Sequence, residues 1–443
     1  MRDYIELSVP LASDSLTFFI GTGFSKYLTD GNAPNWLELV TELARRIGSP
    51  SNTLLNKLFN SDSSGTVTES KFPLEICSQI LELEYKKKSK NIRQTVCDII
   101  SERVNATTIS PARVKQAASI FSAHPRINII TTNYDTLLTD FLLQKQSRVL
   151  VEGAPIPRSQ IGQTVYHIHG SVTKPDSIVL TLNDYFRFQH RQNYFSRKFY
   201  TLLQESTVVI LGYSLGDFNL NSIFNEVQFS KSEWLRKRDI FLVTRDPIDE
   251  TYKTFYAYTY GIDVVDSCTI DSFFLNLQTS FPRAQNLVDQ AKYLPEVLDG
   301  SKVYLDDYLK LRTAFPSMLL QAANLGIPYD DPKFLLLVQG ILQKKQEFTY
   351  ENNAWSQYAH LAEWLVEIGS LLDLRGSPVE SAYLDLVRYS FRKMSKSPIR
   401  GFSWEAFGIW EYGFRELKIE NQNLINDSFT GVYFDPDVRS IIQ

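Results

Sequence analysis

Cysteine is scarce in this chain: three in 443 residues, Cys77, Cys97 and Cys268, with no Cys-x-x-Cys pair among them. That excludes a four-cysteine zinc module and makes a disulfide scaffold a poor expectation, so no zinc and no other metal is expected. An excess of one charge is also lacking. With 46 basic and 50 acidic residues the formal net charge is −4, which leaves no broad basic field, and direct nucleic-acid binding is not indicated. The local basic run from Lys86 to Lys90 reads as a solvated helix face. Long apolar runs are missing too. No window approaches the roughly 18 apolar residues that span a bilayer. Met1 to Ser15 carries acidic residues and no continuous apolar stretch, unlike a signal peptide. The expectation is a cytoplasmic protein, in a reducing compartment, with no membrane association. What is plentiful is aromatic: 13% of the chain, 28 Phe and 23 Tyr, which predicts bulky cores or sticky interfaces without choosing between them.

The apolar pattern divides the chain. Leu16 to Ile20 is a short apolar run that ends in Gly21-Thr22-Gly23, the pattern of a buried strand entering a glycine turn. Further strands are expected at Ile127–Thr132, Arg148–Val151, Thr164–Ile168, Ser177–Leu180, Thr207–Leu211, Ile240–Val243 and Ile262–Val265. Helical spacing marks Trp36–Ile47, Thr136–Gln144, Phe195–Gln204 and Asn219–Phe229. Residues 54–121 read as a helical insertion, broken by a polar loop from Ser61 to Ser70. Near-continuous apolar strands alternating with helices predict an α/β fold: a Rossmann-like, mostly parallel sheet covered on both faces. From about residue 286 to 443 the spacing is helical, with a short strand expected around Gly431–Phe434. This divides the chain into domains 1–285 and 286–443, the second mainly α-helical and without a chemical motif.

Four polar clusters fall at strand ends, where parallel sheets bind ligands. Gly21-Thr22-Gly23-Phe24-Ser25 is a turn whose glycines let backbone amides approach a pyrophosphate, but Lys26 stands where a full dinucleotide fingerprint has its third glycine. Thr131-Thr132-Asn133-Tyr134-Asp135 ends the second strand and reads either as a crevice lining or as a helix cap. His167-Ile168-His169-Gly170 holds two of only five histidines. Residues two apart in a strand share a face, so the pair reads either as buried structure or as one structural imidazole beside another that reaches the site, where a histidine suits general-base work. Gly212-Tyr213-Ser214-Leu215-Gly216-Asp217 follows another apolar strand and supplies a second glycine turn.

Taken in order, these motifs resemble the SIR2 (sirtuin) superfamily, and more closely its bacterial SIR2-like branch of antiphage-defence NADases. Gly21 to Ser25 is similar to the family's Gly-Ala-Gly-x-Ser loop, and Pro34-Asn35-Trp36 to its Pro-x-Trp/Phe. Thr131 to Asp135 resembles Thr-Gln-Asn-Ile-Asp, His169-Gly170 the His-Gly pair, and Gly212 to Leu215 the Gly-Thr-Ser-Leu. The resemblance covers roughly residues 10–280. It implies NAD+ as substrate, His169 as general base and Asn133 as the residue that positions ribose and water. It further implies Asp135 at the nicotinamide carboxamide, with Thr132, Trp36 and Asp217 among the cofactor-binding residues. Gly21, Thr22, Gly23 and Ser25 would hold the pyrophosphate, Gly212 and Ser214 the phosphate and ribose, and Thr244 the adenosine ribose. Homo-oligomers, or a protein partner such as a HerA-like ATPase or another defence subunit, are implied as well. The deacylases' zinc module and the Arg of their Pro-x-Phe-Arg are absent, since Leu37 and Glu38 follow Trp36. Hydrolysis of NAD+ is the leading expectation. A nucleotide-sensing module without turnover, a deacylase and a nicotinamide dehydrogenase stay open.

Overall fold

A computed structural model describes residues 4–47, 51–124, 126–143, 147–156, 163–190, 194–216, 218–229, 240–397, 399, 401–430 and 436–442. The chain forms two compact units, Met1–Ser230 with Arg238–Pro282, and Lys231–Lys237 with Arg283–Gln443. Among the described residues no helix is long and apolar enough to cross a membrane.

The first unit is built on strands β1 (Leu16–Ile20), β4 (Asn128–Thr131), β5 (Arg148–Leu150), β6 (Thr164–His167), β7 (Thr207–Leu211), β8 (Ile240–Val243) and β9 (Ile262–Val265), with a separate hairpin, β2 (Phe59–Ser61) and β3 (Val67–Ser70). The seven form one sheet in the order β5-β6-β4-β1-β7-β8-β9, and every pair is parallel. The strands are apolar without interruption because both faces are covered. Phe18, Ile20, Val209 and Leu211 belong to one core, while Phe19, Val208 and Ile210 belong to the other. Phe19 meets Phe199, Tyr213 and Phe224 at centroid distances of 5.3, 5.0 and 6.2 Å. Truncating such a ring to alanine costs about 3–5 kcal/mol.

Register positions the site. Ile20 pairs with Thr131 on one side and with Leu211 on the other. Thr131 pairs with His167, and Leu211 with Val243. Five strands therefore end on one level, and the residues that follow emerge together on one rim. The chain leaves β1 toward β4 on one side and later returns to β7 on the other, so that rim lies at the sheet's topological switch point.

Two expectations need correction. Ser177–Leu180 is not a strand: Pro175–Ser177 is a 3-10 turn, and Val179 N–H bonds to His169 O at 2.9 Å. The run is apolar because Ile178 and Leu180 fill the core under the insertion. The polar loop Ser61–Ser70 includes β3 and one end of β2, which pair as an antiparallel hairpin; its polar faces are exposed, so the alternation carries no burial signal. The insertion is otherwise helical, at Ser51–Leu58, Leu74–Lys87, Ile92–Arg103 and Pro111–Phe121.

The second unit is helical, with no strand among its described residues beyond an isolated bridge between Met394 and Ser403. The strand expected at Gly431–Phe434 lies outside the described residues. Its longest helices, Pro332–Phe348 and Trp355–Leu371, bury Trp364, whose indole N–H donates to Arg312 O at 3.0 Å.

Candidate functional site

One cleft of about 1270 Å³ opens on the rim of the sheet, larger than most small-molecule sites. Thr22, Gly23, Trp36, Thr132, Asn133, Asp135, His169, Gly212, Ser214 and Thr244 all line it. Gly21 and Ser25 do not line the cleft but brace it from behind, and Asp217 lies outside the described residues.

The brace is a chain of hydrogen bonds between β1 and β4. Asn133 Nδ2 donates to Gly21 O at 3.0 Å and to Ser25 Oγ at 2.8 Å, and Ser25 Oγ donates to Asp135 Oδ2 at 2.7 Å. Asp135 Oδ1 accepts the Leu137 amide at 3.1 Å. Burial pushes the Asp135 carboxyl up, against the Ser25 and Leu137 hydrogen bonds that favour its charge. With both amide hydrogens of Asn133 engaged, its orientation is settled. Asn133 Oδ1 is left buried with no partner among the described residues, as is Trp36 Nε1. Both residues line the cleft, and buried polar atoms without a protein partner there are what a polar ligand would satisfy.

The two histidines take different places. His167 ends β6, is 1% exposed, and its Nδ1 donates to Asn133 O at 3.0 Å. Burial lowers its pKa from 6.5 to about 4, so the ring is neutral and serves as a strut under Asn133. His169 lines the cleft, with Tyr185 and Phe188 edge-on at 5.5 and 5.7 Å. Tyr185 in turn stacks on Trp36 at 5.8 Å.

The glycines are explained by the protein as well as by any ligand. Gly212 has φ +66°, and a Cβ there would collide with the Phe24 amide; a Cβ on Gly21 would stand 2.5 Å from Gly212 O. The two glycine turns are thus pressed together, closing β1 on β7. Gly170 has φ +86°, and a Cβ there would strike Ser177 O, so this glycine admits its own neighbouring loop.

Sequence reasoning missed Lys26, Tyr27, Arg113, Tyr185 and Asp271, all on the cleft. Tyr27 Oη donates to Asp271 Oδ1 at 2.7 Å, and burial raises its pKa, with Asp271 adding to the shift. Lys26 was noted only as a departure from the glycine fingerprint, and Arg113 and Tyr185 sit on helices whose cleft faces depend on packing alone. Among the described residues no group of three or more His, Cys, Asp or Glu gathers to hold a metal ion.

Residues 127–265 match the family model of the SIR2-like domain. Over 271 residues the chain is 22% identical to Defense-associated sirtuin 2 of Bacillus subtilis, a match covering 60% of this chain and 24% of that protein. The chain thus spans about a quarter of the length of the curated relative it matches.

Proposed function

We propose, from a chain that carries a SIR2-like domain, that it is an NAD+ glycohydrolase. The observation behind this reading is that Asn133, His169 and both glycine turns share one cleft at the switch point of the sheet. In the reaction the bond from the nicotinamide nitrogen to ribose C1′ breaks and a water oxygen bonds to C1′. Nicotinamide, ADP-ribose and a proton result. The transition state is oxocarbenium-like, as in other glycosidic cleavages, so the protein's work is to orient the sugar and to handle one proton. Asn133 Oδ1 accepts from the water or a ribose hydroxyl, which meets its buried lone pairs. His169, steadied by Tyr185 and Phe188, takes the proton. Asp135 and Ser25 hold Asn133 in place, and Trp36 offers a ring and an unpartnered N–H on the same cleft.

Release of nicotinamide from NAD+ by the pure chain tests the reading, assayed with and without an acetylated peptide. Peptide-independent release supports hydrolysis. Release only with peptide indicates deacylation, NADH formation a dehydrogenase, and binding without turnover a sensor. Since unrestrained NAD+ loss is toxic to a cell, we assign the helical unit to restraint, through self-association or a partner such as a HerA-like ATPase. A role in antiphage defence accords with the name of the Bacillus relative.

A further inference from the structure

The turn after β1 keeps few amides for an anion. Those of Gly21, Gly23 and Phe24 donate to Leu211 O, Gly212 O and Gly21 O at 2.9, 2.7 and 3.0 Å. The helix that begins there, Thr22–Leu28, has only seven residues. A doubly charged group brought out of water into this cleft therefore requires cationic side chains.

Two line the cleft on or against the helix that follows the turn. Lys26 follows Thr22 by one helical turn, so the two share a face, and both line the cleft. Its ammonium is tethered by Glu38 Oε1 at 2.6 Å. Glu38 also caps the helix Trp36–Arg46 through the Asn35 amide. Arg113 reaches the same cleft from the insertion helix Pro111–Phe121. Its Nη1 donates to Tyr27 O at 2.7 Å and pairs with Asp30 Oδ1 at 2.6 Å, while Cζ lies 5.0 Å over the Tyr27 ring. Both polar contacts use one nitrogen, so among the described residues Nε and Nη2 are left for another acceptor. A guanidinium fixed this way presents a planar fork that matches two phosphate oxygens. Another cleft cation, Arg245, follows β8, two strands from β1, and pairs with Asp246 at 3.2 Å.

We propose that Lys26 and Arg113 form the pyrophosphate subsite of the cleft, which makes the helical insertion a substrate-binding element. The proposal rests on the dinucleotide reading above. It differs from the sequence expectation in that side-chain cations, not glycine amides, meet most of the phosphate charge.

Calorimetric binding of ADP-ribose to the full chain, at low and high salt, tests it. K26M and R113M should each weaken binding about tenfold and flatten its salt dependence. K26R should bind as wild type, and R113K, which keeps the charge but not the fork, should fall between. If R113M fails to fold, K26M, partly exposed on another helix, still decides. Unchanged affinity in the methionine variants of a chain that binds ADP-ribose overturns the subsite and leaves the dinucleotide reading standing. A wild-type chain that binds neither ADP-ribose nor NAD+ overturns both. An R245M loss equal to that of K26M overturns the local assignment, since the effect is then the field of the whole cleft.

Discussion

In the helical unit Lys345 is fully buried, and its ammonium reaches Leu309 O, Lys310 O and His360 Nδ1 at 2.8, 3.1 and 3.3 Å. In the sheet unit Lys26 is 29% exposed on a cleft wall and has one carboxylate partner. Two of its partners are carbonyls at one helix end and the third is a ring on another helix, so Lys345 ties three helices together inside the unit. Lys26 keeps donors and faces open space. His360 is buried inside the helical unit, whereas His169 lines the cleft. A buried charge by itself marks a strut; a site is marked by donors and acceptors that the protein itself leaves unmatched beside a cavity.

This contrast can be broken by experiment. The buried pair between Arg312 Nε and Glu363 Oε2, at 2.5 Å with side chains 12% and 5% exposed, is internal to the helical unit. R312M leaves a buried carboxylate uncompensated and should lower the unfolding free energy by about 3–5 kcal/mol in urea titrations, with ADP-ribose affinity as in wild type. Affinity lost along with stability would mean that the two units do not divide the work.

A pair of histidine replacements sharpens it. H169A should cut NAD+ consumption about a hundredfold or more, near 2.7 kcal/mol of activation free energy, with little change in Tm; N133A should cut it as far and also lower Tm, because it removes the hydrogen bonds to Gly21 O and Ser25 Oγ. H360A should do the reverse of H169A. Turnover at the wild-type level in H169A and N133A would remove both residues from the chemistry.

The smallest effect belongs to His167, where strut and site meet. The unfolded ring takes its proton near pH 6.5, whereas the folded one stays neutral until about pH 4. Between those values the unfolded state holds more protons. This stabilisation is complete above pH 6.5 and is lost as pH falls toward 4. From pH 6.5 to 5 the loss is on the order of 2 kcal/mol, read as the difference between wild type and H167Q in denaturant titrations. Asp135, whose raised pKa acts with the opposite sign, is common to both and cancels. Equal slopes for the two proteins would contradict a neutral, buried His167.

Much of the sheet was legible because parallel strands covered on both faces must be apolar throughout, as Leu16–Ile20 and Thr207–Leu211 are. Ser177–Leu180 misled for the same reason: burial in a loop under the insertion leaves the same apolar trace as burial in a ladder. The motif residues were found because short-range patterns place them at strand ends. Arg113, Tyr185 and Lys26 carry no such pattern, and their presence on the cleft follows from how helices pack.

Short-range pattern was enough to place glycine turns and polar clusters at strand ends, since side-chain alternation and backbone sterics act over a few residues. Only the tertiary structure decided that Ile20, Thr131, His167, Leu211 and Val243 stand level. It also decided that the glycine amides bond to the protein itself and that an insertion arginine faces the same cleft. Those outcomes depend on register and packing between segments far apart in the chain, where no local rule reaches.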